Sequence, residues 1–284
     1  MSKTAIITDT DASLPLELAK ERNIVQVPIM VQFGDESFRA VYDIDDEQTF
    51  ARIDKSGKLP TTSAPSPGQF AEAYKAAFDA GCADILCFTV SGEVSATYSA
   101  ALNAADLFPG KEITVVDTKN LTFAQGFMVL AAAKALDEGK SKDDAIAIAL
   151  DVGARSHLFA ALSTVKYLAM SGRVGTLAAG LANIMNIKPI LTMRNGKLDL
   201  LERIRTQSKA WQRVVDLTVE AAAGNPIEQM AIVHVHAPEA AKQLEALLRA
   251  SLPCPKEIRH IALTPGLSVH SGAGLVGSCV VIGK

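Results

Sequence analysis

A chain of 284 residues with 49% hydrophobic and 21% charged residues is long enough for two domains and is ordinary in composition for a soluble α/β protein. A formal net charge of −3 and only 5% aromatic residues argue against a broad basic surface for nucleic acid or anionic membrane, and against base-stacking platforms. No segment approaches the apolar length of a membrane span, and Met1 runs into strand-like Ala5-Ile6-Ile7 without a charged-then-apolar leader, so a cytoplasmic protein is expected. Cys82, Cys87, Cys254 and Cys279 are few and scattered and are expected to be reduced core thiols.

The first strand ends in Thr8-Asp9-Thr10-Asp11-Ala12-Ser13, a place where parallel α/β sheets gather ligands, and a short helix over 14–22 follows. Residues 24–33 alternate well enough for one or two strands, 37–42 add another, and 46–55 form a capped helix. Thr61, Thr62 and Ser63 make a hydroxyl-rich turn before a helix signalled by Ser66 as N-cap, Pro67 at the first helical position and Gln69 in the capping box. Three hydroxyls at the positive end of a helix suit an anion, although a rigid polar loop accounts for them equally. A buried strand over 84–89 leads into Ser91, Ser95 and Thr97 at the start of an Ala-rich helix, which repeats that architecture. Strand 113–116 and helices 123–138 and 141–154 complete a strand-helix alternation that favours a doubly wound, mainly parallel sheet.

After Gly153 the pattern changes. Strand 158–162, a short helix 165–170, a basic loop 171–175 and an apolar stretch 177–185 precede two strand-like runs flanking Asn195-Gly196, the strongest hairpin signal in the chain. Helix 208–223, strand 230–235, helix 239–252 and two closing strands make a second α/β unit with antiparallel pairing. The expected division is 1–153 and 154–284.

Asp9-x-Asp11 after an apolar strand resembles the opening of haloacid-dehalogenase-type phosphatases, so a Mg²⁺-dependent phosphatase or phosphotransferase using Asp9 and Asp11 is the alternative reading. The other acidic pairs, Asp45-Asp46 and Asp143-Asp144, each open a helix and have a capping explanation. Residues 272–277 match the dinucleotide fingerprint, yet only seven residues follow Gly277, too few for the βαβ unit it requires. The glycines still permit close backbone approach. His234-Val235-His236 would set two imidazoles on one strand face, with no nearby carboxylate or cysteine to complete a metal site.

Seven segments in order resemble the DegV family of bacterial fatty-acid-binding proteins. They are Thr8-Asp9-Thr10, Thr62-Ser63-Ala64-Pro65-Ser66, Ser95-Ala96-Thr97-Tyr98, Gly172-Arg173, Ile187-Lys188-Pro189-Ile190, Arg205-Thr206 and His270-Ser271-Gly272-Ala273-Gly274. Ala96 stands where the family usually has Gly, Ala273 where it often has Pro, and His234-Val235-His236 where it has His-Gly-Asp. The resemblance implies a two-domain α/β protein holding a long-chain fatty acid between its domains, and a separate fatty acid kinase that makes an acyl-phosphate for phospholipid synthesis. It assigns the fatty-acid carboxylate to Thr62, Ser95, His270 and the backbone N–H of Ala96, with Asp9, Ser63, Thr97 and Gly272 in supporting loops. Arg173, in a Gly-flanked loop, is a candidate contact for the acidic or phosphate-bearing surface of such a kinase, with an exposed solvated charge as the alternative reading. No catalytic residue, metal or cofactor is expected, and a monomer is.

Overall fold

The computed structural model describes residues 3–170 and 187–284. Strand β1 (Thr4–Asp9) passes through a 3-10 turn (Thr10–Ala12) and helix α1 (Leu16–Glu21) to β2 (Ile24–Val27). The chain then leaves this sheet for β3 (Met30–Phe33) and β4 (Glu36–Arg39), crosses α2 (Asp46–Ser56), and returns as β5 (Thr61–Ser63). Helix α3 (Pro67–Asp79), β6 (Asp84–Thr89), α4 (Thr97–Ala105), β7 (Glu112–Asp117), α5 (Thr122–Asp137) and α6 (Lys142–Ala154) complete this half. The first sheet has the order β2-β1-β6-β7 and is parallel throughout, whereas β4-β3-β5 is a separate antiparallel sheet.

Period-two alternation sorts the parallel strands between two apolar layers. Ile7, Ile85 and Cys87 face α3 and α4, while Ile6, Leu86 and Phe88 face the side of α5. Both faces are thus covered, which is the condition for a parallel sheet with near-continuous apolar strands.

The second half contributes β8 (Ser156–Ala161), α7 (Lys166–Met170), β9 (Lys188–Arg194), β10 (Lys197–Ile204), α8 (Gln207–Ala222), β11 (Ile227–His234), α9 (Pro238–Ser251), β12 (Arg259–Ala262), α10 (Pro265–Ser271) and β13 (Val276–Ile282). These strands form one sheet, β10-β9-β8-β13-β11-β12, antiparallel except at β11–β12. Asn195 and Gly196, at φ +51° and +79°, form the two-residue β9–β10 turn, as the sequence leads one to expect.

Helix α5 is apolar on nearly every side, as a helix enclosed by protein must be. Its residues join one apolar cluster with Leu86 and Phe88 of the parallel sheet and with Leu158, Val233 and Cys279 of the six-stranded one. The other face of the six-stranded sheet is covered by α8 and α9.

Three local expectations need correction. Thr61–Ser63 is an edge strand paired with β3, Thr62 opposite Val31, and not a loop; three residues are too few to show alternation, but β-branched Thr suits a strand. Between the two closing strands lies α10, begun by Thr264 and Pro265 at N-cap and N1. His234 and His236 do not share a strand face: β11 ends at His234, and exposed His236 has φ +48°. Asp45 and Ser141 are N-caps with complete capping boxes, which accounts for the acidic pairs beside them. Cys82, Cys87 and Cys279 are buried free thiols, Cys254 only partly so, and burial pushes the Cys87 thiol up to about 12.

Candidate functional site

At the C-terminal end of the parallel sheet, β1 and β6 deliver two turns that are tied together by Asp9. Its Oδ1 accepts the Asp11 N–H at 2.9 Å, and its Oδ2 accepts the Val90 N–H at 2.7 Å and the Gln125 amide at 3.3 Å. The carboxyl is fully buried, and desolvation lifts it to about 6 despite those donors. A nucleophilic carboxylate must face its substrate, whereas Asp9 faces backbone on both oxygens. The haloacid-dehalogenase likeness therefore ends at the dipeptide spacing. Among the described residues no group of three or more His, Cys, Asp or Glu side chains is arranged to hold a metal ion.

The turn after β6 continues as Ser91-Gly92-Glu93-Val94-Ser95. Ser95 Oγ accepts the Thr97 N–H at 3.3 Å and lies 2.8 Å from Thr97 Oγ1, which fixes its orientation at the start of α4, where Ala96 is the N-cap. From the other side β5 presents Thr62, whose Oγ1 shares a 2.7 Å hydrogen bond with Nε2 of His270 on α10. Those two residues are 208 positions apart in sequence, so only the fold brings them together.

Thr62, Ser63, Ser95, Ala96 and His270 all line one cavity of about 630 Å³. Ser63 and Ala96 are exposed and Thr62, Ser95 and His270 half-buried, whereas Leu158, Ala160, Leu191, Val233 and Leu275, which line the same cavity, are buried. The space is therefore polar toward solvent and aliphatic within. Its walls come from both halves of the chain, with Leu121 and Thr122 at the start of α5 between them. Such a shape accepts an elongated amphiphile with a polar head.

Asp9, Thr97 and Gly272 stand behind this lining rather than in it. Gly272, at φ +80°, ends α10, and a Cβ there would sit 2.2 Å from the Tyr167 ring. Gly272→Ala is expected to cost about 2 kcal/mol and to lower the melting temperature by several degrees. Gly68→Ala, where a Cβ meets nothing nearer than 3.6 Å, is expected to be neutral or stabilising in the same thermal melt. Arg173 and Gly172 lie outside the described residues.

Sequence reasoning did not find Glu93, Lys197 or Leu198, which line the cavity together with Asp11. The sequence offers Asp11 as a metal ligand and as a support for the loops around Thr62, not as part of the lining. Lys197 and Leu198 follow a hairpin turn whose landing point on the other half has no local signature.

A parallel sheet joined through a shared apolar helix to a mixed sheet, with a cavity lined from both halves, defines a two-sheet α/β protein. A family model described as Uncharacterised protein, DegV family, matches residues 3–283. A DegV domain-containing protein of Streptomyces coelicolor is 32% identical over 276 residues, 97% of each chain. The chain belongs to the DegV family. Its structure is similar to that of a fatty-acid-binding DegV family protein from Thermus thermophilus, with a TM-score of 0.92, 28% identity and 99% of each chain covered. It is also similar to DegV, a fatty-acid-binding protein from Bacillus subtilis, with a TM-score of 0.89, 26% identity and 100% of each chain covered. Among the described residues no helix is long and apolar enough to cross a membrane.

Proposed function

We propose that this protein binds one long-chain fatty acid, with its carboxylate at Thr62, Ser95, His270 and the Ala96 N–H and its tail in the aliphatic interior, and presents it to a separate fatty acid kinase. On this reading it is a cytoplasmic, monomeric carrier of two domains meeting near Gly153, without catalytic residue or cofactor. The observation that carries the reading is the convergence of the Thr62–His270 pair and Ser95 on one cavity of about 630 Å³ whose remaining wall is largely aliphatic. Fatty-acid-binding relatives of the same fold support the ligand class.

The division of labour follows from magnitudes. At about 0.8 kcal/mol per buried methylene, a sixteen-carbon tail supplies on the order of 10 kcal/mol before ordering costs. The head group therefore needs orientation more than grip. Hydroxyls and one imidazole orient a carboxylate without the bidentate clamp of a guanidinium, which would occupy both oxygens. One oxygen is then left to attack the terminal phosphorus of a nucleoside triphosphate brought by the kinase, and the nucleoside diphosphate leaves as the acyl-phosphate forms.

Mass spectrometry of a solvent extract of the purified protein tests the ligand: a co-purified long-chain fatty acid is the expected result, and a lipid-free protein that also fails to take up added fatty acid refutes it. Thr62→Ala, Ser95→Ala and His270→Ala should each reduce acyl-phosphate formation by a supplied kinase more than they reduce lipid retention. Parallel losses in all three would refute the orienting role.

A further inference from the structure

The β9–β10 hairpin belongs to the six-stranded sheet, yet its tip rests on the other half of the molecule. The hydroxyl of fully buried Ser91 donates to the Gly196 carbonyl at 2.7 Å. The approach is close enough that a Cβ on Gly196 would stand 2.8 Å from Ser91 Oγ and 2.8 Å from Lys119 Cδ. Next to the tip, Lys197 Nζ is 3.6 Å from Glu93, which is 3.7 Å from Lys119 Nζ, itself 2.8 Å from Asp117. Glu93 and Lys197 are substantially exposed, so this chain of charges is held weakly and is screened by salt.

The same two segments form opposing walls of the cavity: Lys197 and Leu198 on one side, Glu93, Val94 and Ser95 on the other. Separation of these two walls would widen the passage for a long-chain ligand. Among the described residues, the hydrogen bond from Ser91 and exposed ion pairs hold the seam between hairpin tip and turn, whereas the wall around α5 is continuous with the main apolar core. Opening at the tip breaks few contacts.

We propose that the tip of the β9–β10 hairpin is a latch that governs ligand exchange, with Ser91 and Gly196 as its catch and Glu93 with Lys197 as its salt-sensitive part. This rests on the lipid-binding reading above and is separable from it. A latch that closes equally over the empty and the filled cavity sets both rates and leaves affinity nearly alone. A residue that holds the ligand changes release and affinity together.

The test is stopped-flow uptake of a fluorescent polyene fatty acid by the full-length protein and its release to excess albumin. Ser91→Ala, which removes the catch together with the 3.3 Å bond that Ser91 Oγ accepts from the Glu93 N–H, should raise both association and dissociation rate constants roughly three- to tenfold, on the order of one ordinary hydrogen bond, with Kd changed less than about twofold. Gly196→Ala, which pushes the tip away from the opposite side, should act in the same direction. Added salt should speed exchange in the unaltered protein, and Glu93→Gln should abolish that dependence. Unchanged rates in both latch variants, or a rise in dissociation alone, would overturn the latch while leaving lipid binding intact. Failure of the unaltered protein to bind the probe would instead overturn the lipid-binding reading, and the latch with it.

Discussion

Ala160→Phe is expected to weaken binding of a sixteen-carbon fatty acid on the order of a hundredfold while leaving the lipid-free protein as stable as before. Ala160 lies on β8, buried and lining the aliphatic part of the cavity. A benzyl group placed there occupies space intended for about four chain methylenes, each worth about 0.8 kcal/mol, a loss of about 3 kcal/mol. Overpacking usually costs a close-packed core, but here the added ring enters a void of about 630 Å³ instead of displacing neighbours. Shorter acyl chains should lose less affinity than longer ones in a competition series. Equal losses for all lengths would mean that the ring disturbs the head-group end, and a large drop in the thermal midpoint of the lipid-free variant would mean that the site is ordinary core.

The second large effect concerns stability. Asp9→Ala leaves the Val90 and Asp11 N–H groups without their acceptors in a fully buried setting, at a cost of about 2–5 kcal/mol, or roughly 5–15 °C in the thermal midpoint of a protein of this size. The pH dependence carries a further signature. Burial raises the Asp9 carboxyl from 3.8 to about 6, so the folded protein retains this proton where the unfolded chain has lost it. Its contribution thus favours folding most at low pH and fades as pH climbs from about 4 to 6. Asp9→Asn should flatten that part of the stability profile while still destabilising, because an amide offers one acceptor oxygen where two are used. Chemical denaturation at several pH values measures both effects, and a wild-type slope of the opposite sign would refute the assignment.

The parallel sheet of the first half was legible because its strands β1, β2, β6 and β7 are separated by helices, and three helices of this half announce themselves through Ser66, Asp45 and Ser141. Asn195-Gly196 was equally plain, since a type I′ turn demands residues that accept positive φ. What escaped were features made by distance. β5 exists because β3 offers it an edge, and α10 is a single short helix bracketed by strands. The residues Thr62, Ser95 and His270 stand out as hydroxyls and an imidazole in loops or near glycines, but nothing local says that the first and last share a hydrogen bond. Arg173 belongs to a segment outside the described residues. Lys197 and Glu93 were unremarkable surface charges until the hairpin carried one to the other.

Each half has an apolar cluster of its own, but α5 supplies side chains to a third cluster that both sheets share. Severing the backbone near Gly153 would leave each fragment with a greasy surface that only its counterpart can cover. The shared helix thus makes the stability of each portion depend on the other, so that a change in the α5 packing should be felt in both sheets.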